Sequence, residues 1–170
     1  TELVIGNTAR TISYDPVLGT LSAGKVDITP GGDSRGLMQG SLSGLFELRD
    51  KQLPQLSAQL DALAAGLVSS METANPFGTG GTGLFTDAGN VYDSASVKGL
   101  AGRIMVNVEV DNTVGGTPSL IQNGGDPTTP SGDTSYVTAM LDSFNESLTI
   151  DLAGLGDSMT LAELAPALVS

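Results

Sequence analysis

Leu42, Phe46, Arg49, Leu53, Leu56, Leu60, Leu63 and Leu67 step along the sequence by 4, 3, 4, 3, 4, 3 and 4 residues. That spacing puts apolar side chains on one stripe of an α-helix and, when sustained, makes a coiled-coil-like seam. Arg49 is its single polar interruption. Pro54 lies inside the pattern. It has no N–H and its ring clashes with the preceding turn, so it either kinks a long helix or opens a new one. The seam keeps its register across the proline, which predicts one helix from Ser41 to Ala74, bent near Leu53 and ended by Asn75-Pro76. The predicted core is Leu42, Phe46, Leu53, Leu56, Leu60, Leu63 and Leu67, with Phe144 from further on. Each buried leucine contributes about 1.5–3 kcal/mol.

Before the helix the pattern is extended. Leu3-Val4-Ile5, Thr11 to Tyr14 and Lys25 to Thr29 read as short strands separated by Asp15-Pro16 and closed by Pro30-Gly31-Gly32. They suit a small antiparallel sheet of two or three strands, marginal alone and so expected to lie against a helix. After the helix, residues 76–90 (PFGTGGTGLFTDAGN) predict an irregular loop anchored by Phe77, Leu84 and Phe85. Ser94 to Arg103 predicts a short helix capped by Asp93 or Ser94, and Ile104 to Val110 alternates like a strand. Residues 111–133 read as a second loop. Tyr136, Val137, Met140, Leu141, Phe144 and Leu148 recur at helical spacing behind a cap at Asp133 or Thr134. Leu148 to Leu152 suits a short strand. Thr160-x-x-Glu163 has the capping-box form and opens LAELAPALVS, a last short amphipathic helix that Pro166 bends or interrupts.

The expected fold class is α+β: a long heptad-patterned helix packed with shorter helices and a small antiparallel sheet. Residues 1–38 form the β element and 39–170 a mainly helical body with glycine-rich loops, the two making one compact unit. The segments near 94–103 and 134–148 are expected to cover the leucine seam.

Charge and composition narrow the chemistry. The net charge is −12, and residues 104–170 carry nine acids and no base. Such a surface repels phosphate backbones and anionic headgroups, so neither nucleic acid nor membrane is an expected partner. With no cysteine, disulfides, zinc–thiolate sites and thiol nucleophiles are excluded. With no histidine, the commonest general base and transition-metal ligand is gone. No apolar run reaches the roughly 20 residues of a membrane span. GTGGTG lacks the GK[ST] ending of a phosphate loop and does not join a strand to a helix. Asp111, Asp126 and Asp133 lack the EF-hand order and read as turn formers. The pairs Asp50/Asp61 and Asp142/Glu146 have the spacing of solvated helix faces. No catalytic residue, cofactor site or metal site is predicted.

Gly40 to Gly78, GSLSGLFELRDKQLPQLSAQLDALAAGLVSSMETANPFG, resembles the segment of the bacterial flagellar hook-associated protein 1 family in which a GxLxGLxxxRD motif leads into a leucine-rich helix. TGGTGLFTDAG is similar to the family's glycine-rich loop, ELVIGNTARTI to its LVxGxxAxxL strand, and SVKGLAGRIMVNVEV to its short helix running into an I-x-V-N element. The likeness is strongest over residues 40–110. It implies a secreted structural adaptor at the hook–filament junction, extracellular and without catalytic activity. Its implied partners are other flagellar axial proteins, namely the hook protein and neighbouring hook-associated proteins. An export chaperone is implied for the full-length protein. Members are exported unfolded through the flagellar type III channel, a route that lack of disulfides suits. The family's N-terminal helix and final Asn- and Gln-rich helix are missing here, which implies an internal fragment. The alternative reading is an extracellular binding or adhesin-type module whose acidic loops hold calcium. A two-carboxylate hydrolase is the third, and it needs a buried pair with divergent pKa values.

Overall fold

The computed structural model describes residues 4–5, 7–32, 36–77, 80–126, 128–148 and 159–163. The protein divides into two compact units, Thr1–Gln55 and Leu56–Ser170. The division falls within the long helix instead of at residue 38, because the first helical turns pack on the sheet that precedes them.

In the first unit β1 (Val4–Ile5) and β2 (Thr8–Ala9) form an antiparallel pair of their own. β3 (Ile12–Asp15), β4 (Thr20–Ala23) and β5 (Val26–Asp27) form a three-stranded antiparallel sheet. Its first turn is set by Asp15, whose Oδ1 accepts the N–H groups of Val17 at 2.8 Å and Leu18 at 3.1 Å. The register is Ile12↔Ala23 through Asp15↔Thr20. β4 is the central strand and supplies buried Leu21 and Ala23, which pack with Ile28 and Phe46. It is missing from the sequence-based expectation because Thr-Leu-Ser-Ala is short and carries no β-branched or aromatic run.

The helical stretch predicted for Ser41–Ala74 is present, with an internal change of geometry. α1 (Ser41–Glu47) passes into a π-helical turn at Leu48–Gln52 and then into α2 (Leu53–Ala74). Pro54 stands two residues after the π turn, second in α2. The missing N–H and the crowding of the carbonyl four residues back are both relieved where the helix is already widened. Next to the position where a bend is expected the helix thus carries an inserted π turn.

In the second unit the loop expected over 76–90 resolves into β6 (Phe85–Asp87), paired antiparallel with β7 (Ile104–Val106) in the register Phe85↔Val106 through Asp87↔Ile104. Thr82, Gly83 and Thr86 are buried there, whereas Phe77, Leu84 and Phe85 are half-buried. Gly83 is required by proximity: a Cβ would stand 2.5 Å from the backbone of Met71 in α2. The helix expected over Ser94–Arg103 is two 3-10 turns, Ser94–Ser96 and Leu100–Gly102, divided by Gly99 in the left-handed region at φ +80°. β7 ends at Val106 because Asn107 turns the backbone, its Oδ1 accepting the N–H of Glu109 at 3.0 Å. The 111–133 loop contains a 3-10 turn at Asn112–Val114 and the one-turn α3 (Leu120–Asn123). α4 (Ser135–Ser143) stops short of the predicted Leu148, and β8 (Ser147–Leu148) pairs with β9 (Met159–Thr160). The rest of the strand expected to Leu152 lies outside the described residues, as does the last helix beyond Glu163. The capping box itself is formed. Glu163 N–H donates to Thr160 Oγ1 at 3.1 Å, and Thr160 N–H donates to Glu163 Oε2 at 3.0 Å. A long helix with short helices and small antiparallel sheets is an α+β fold.

Candidate functional site

The predicted core ladder divides. Phe46 is buried. Leu63, Leu67 and Phe144 are half-buried. Leu42, Leu53, Leu56 and Leu60 are exposed by 44 to 51 %, so these four are corrected from core to surface. α2 instead buries Ala62, Ala64, Ala65, Gly66, Val68, Ser70 and Met71. The physical reason is depth of approach. Loop backbone comes close to this helix, as at Gly83, and only a small-residue face admits it. The 94–103 segment does pack on α2, but through fully buried Leu100 against Ala64 and Ala65, with Tyr92, Val97 and Ile104 around them.

Two acids of α2 fasten that segment. Asp61 is buried, which corrects its reading as part of a solvated face. Its Oδ2 accepts the Gly99 N–H at 2.7 Å and its Oδ1 the Ala101 N–H at 2.9 Å, so it caps the second 3-10 turn from a neighbouring element. Three helical turns on, Glu72 Oε1 accepts the Tyr92 N–H at 2.6 Å. Burial raises the Glu72 carboxyl above its usual range, opposed by that hydrogen bond. Tyr92 is likewise raised by burial and by the nearby charges of Asp93 and Glu72. Arg103 completes the fastening with a forked pair to Asp87 at 2.7 and 2.9 Å and bonds to the carbonyls of Lys98 and Ser96. It holds the Asp87 carboxyl below its ordinary value. Neither Arg103 nor Glu72 is singled out by sequence. Only the I-x-V-N neighbourhood hints at Arg103, one residue upstream of it.

The first unit has its own clamp. Arg49, the residue that breaks the leucine seam, lies in the π turn with its guanidinium 4.4 Å from the Phe46 ring centroid. It donates to Tyr14 Oη at 3.1 Å, to the Gly19 carbonyl at 3.0 Å and to both carboxylate oxygens of Asp50. Tyr14 meets Phe46 edge-on at 6.4 Å. A cation facing an aromatic ring and bonded to a hairpin carbonyl ties helix to sheet. The Arg-Asp dipeptide in the GLxxxRD motif therefore has a structural use.

The loop aspartates act as turn formers. Asp27, Asp111, Asp126 and Asp133 each accept the N–H of the Thr or Ser two residues on, at 2.8 Å. In Asp27, Asp111 and Asp126 the same oxygen also takes the threonine hydroxyl. These bonds hold all four carboxyls below their ordinary values. Among the described residues no group of three or more Asp or Glu has the arrangement to hold a metal ion. No helix among them is long and apolar enough to cross a membrane.

Arg49, Asp61, Glu72, Arg103 and the loop aspartates all tie one segment of backbone to another. No curated protein and no solved structure matches the sequence. Its residues 1–90, more than half of its length, match the family described as the flagellar hook-associated protein FlgK helical domain. This span includes the sheet, the Arg49 clamp and the whole of the long helix, and the chain belongs to that family of structural flagellar proteins.

Proposed function

We propose that this protein serves as a structural adaptor at the junction between the flagellar hook and filament, holding neighbouring axial proteins in place and catalysing no reaction. The match of residues 1–90 to the hook-associated helical domain carries this reading. The way the polar groups are used supports it. Arg49, Asp61, Glu72 and Arg103 are all engaged in fastening the fold. The partners on this reading are the hook protein and neighbouring hook-associated proteins, with an export chaperone for the full-length protein. The location is extracellular, after passage through the flagellar export apparatus.

The test is immunogold labelling of isolated flagella with antibody raised against this protein. The expected label is a single band where hook meets filament. Label spread along the filament, or on the cell body alone, would overturn the proposal. For the calcium-module alternative, addition of calcium should raise Tm by several degrees. Because Asp111, Asp126 and Asp133 are each engaged by a residue two positions on, no calcium-dependent rise is expected.

A further inference from the structure

Asn123-Gly124 is the one Asn-Gly pair in the sequence. Such a pair is chemically reactive because glycine leaves the following backbone nitrogen unhindered. That nitrogen can attack the asparagine Cγ, forming a new bond from nitrogen to Cγ as the bond between Cγ and Nδ2 breaks and ammonia leaves. Water then opens the resulting five-membered imide at either carbonyl, giving aspartate or isoaspartate. The net change is water in and ammonia out.

The fold engages both the nucleophile of this reaction and the amide it would attack. The Gly124 N–H, the nucleophile, donates to the Leu120 carbonyl at 3.0 Å and closes α3. Asn123 Oδ1 accepts the Gly125 N–H at 3.1 Å, which fixes the orientation of the amide. The Asn123 carbonyl accepts Thr129 Oγ1 at 3.1 Å. Gly124 takes φ +61° with the Tyr136 ring of α4 directly over its Cα, where a Cβ would collide with the ring. Gly125 backs onto Phe77.

We propose that Asn123 is a deamidation site sealed by the native turn, reacting with water only when the corner between α3 and α4 opens. A closed segment reacts at the intrinsic rate multiplied by its open fraction, so the rate at Asn123 reports local opening. The isoaspartate product adds a backbone carbon between residues 123 and 124. The Gly124 N–H then no longer reaches Leu120, Gly124 shifts from beneath Tyr136, and the lesion blocks its own reclosure.

The experiment is peptide mapping by mass spectrometry with isoaspartate detection after incubation in mildly alkaline buffer. It compares the native protein, the urea-unfolded protein and a Thr129→Val variant whose fold is checked by circular dichroism. In urea, Asn123 should deamidate faster than every other asparagine. In the native protein it should be slower by about tenfold or more, the factor set by the opening equilibrium. Thr129→Val should raise the native rate and leave the unfolded rate unchanged. Equal native and unfolded rates, an unfolded rate at Asn123 no higher than elsewhere, or a native rate unmoved by Thr129→Val would each overturn the proposal.

Discussion

Ala64, Ala65, Val68 and Met71 occupy one flank of α2, and Leu56, Leu60, Leu63 and Leu67 the adjoining one. The first flank is the less hydrophobic by composition, yet it is buried, while Leu56 and Leu60 stand in solvent. The difference lies in what packs against each. Loop backbone comes within touching distance of the small-residue flank, bringing N–H groups that Asp61 and Glu72 accept. Larger side chains would hold that backbone off and leave those groups unbonded. Hydrophobicity marks which residues gain from burial, but backbone hydrogen bonding decides which face is buried here.

The sharpest test replaces a residue on each flank with the same charge. Val68→Asp puts an unpaired carboxylate in a fully buried position. It should cost about 3–5 kcal/mol or prevent folding, read by urea unfolding. Asp61→Ala leaves the Gly99 and Ala101 N–H groups without an acceptor. It should lower stability by about 1–3 kcal/mol, with hydrogen exchange accelerated at those two amides first. Leu60→Asp, on the exposed flank, should change stability by less than about 1 kcal/mol. Should it unfold the protein as Val68→Asp does, the leucine flank is covered in solution and the comparison fails.

The smallest expected effect is that of Glu72→Gln. Burial raises the native pKa of Glu72 above its unfolded value. Ionisation therefore destabilises the fold as pH rises through the window between the two, and below that window the penalty is absent. Glutamine keeps the acceptor for Tyr92 without the charge. Its Tm should exceed that of the unsubstituted protein near neutrality, and the gap should close below the ordinary glutamate pKa of about 4.3. Asp27, Asp87, Asp111, Asp126, Asp133 and Glu163 shift the opposite way. They contribute stability above their unfolded pKa values that is lost as pH falls through the native ones. The same acid titration should show overall stability falling while the Glu72→Gln gap narrows.

Much of this is legible in the sequence. The helix from Ser41 to Ala74, the strands β3 and β5 though not β4 between them, the Asx turns and the Thr160–Glu163 capping box each rest on local signals: periodicity, turn residues and side chains that bond two or three positions away. The buried face of α2 is not legible, because it depends on contacts with residues from 12 to 40 positions on. Periodicity gives its weight to leucine, whose size favours a core but also keeps other backbone distant. Gly83, in a loop that composition alone marks as irregular, is the counterpart. Its missing side chain serves proximity to Met71. Arg49 reads as a flaw in a hydrophobic stripe, and it is the residue that joins helix to sheet.

In the π turn at Leu48–Gln52, a ring closed five residues back instead of four accommodates a surplus residue. Side chains before and after it therefore no longer fall into step by counting sevens. Deleting one residue there would let the wide turn close to ordinary winding and return the flanking side chains to a single count of sevens. A one-codon deletion at this point should therefore be tolerated better than one elsewhere in the helix, provided it spares Arg49.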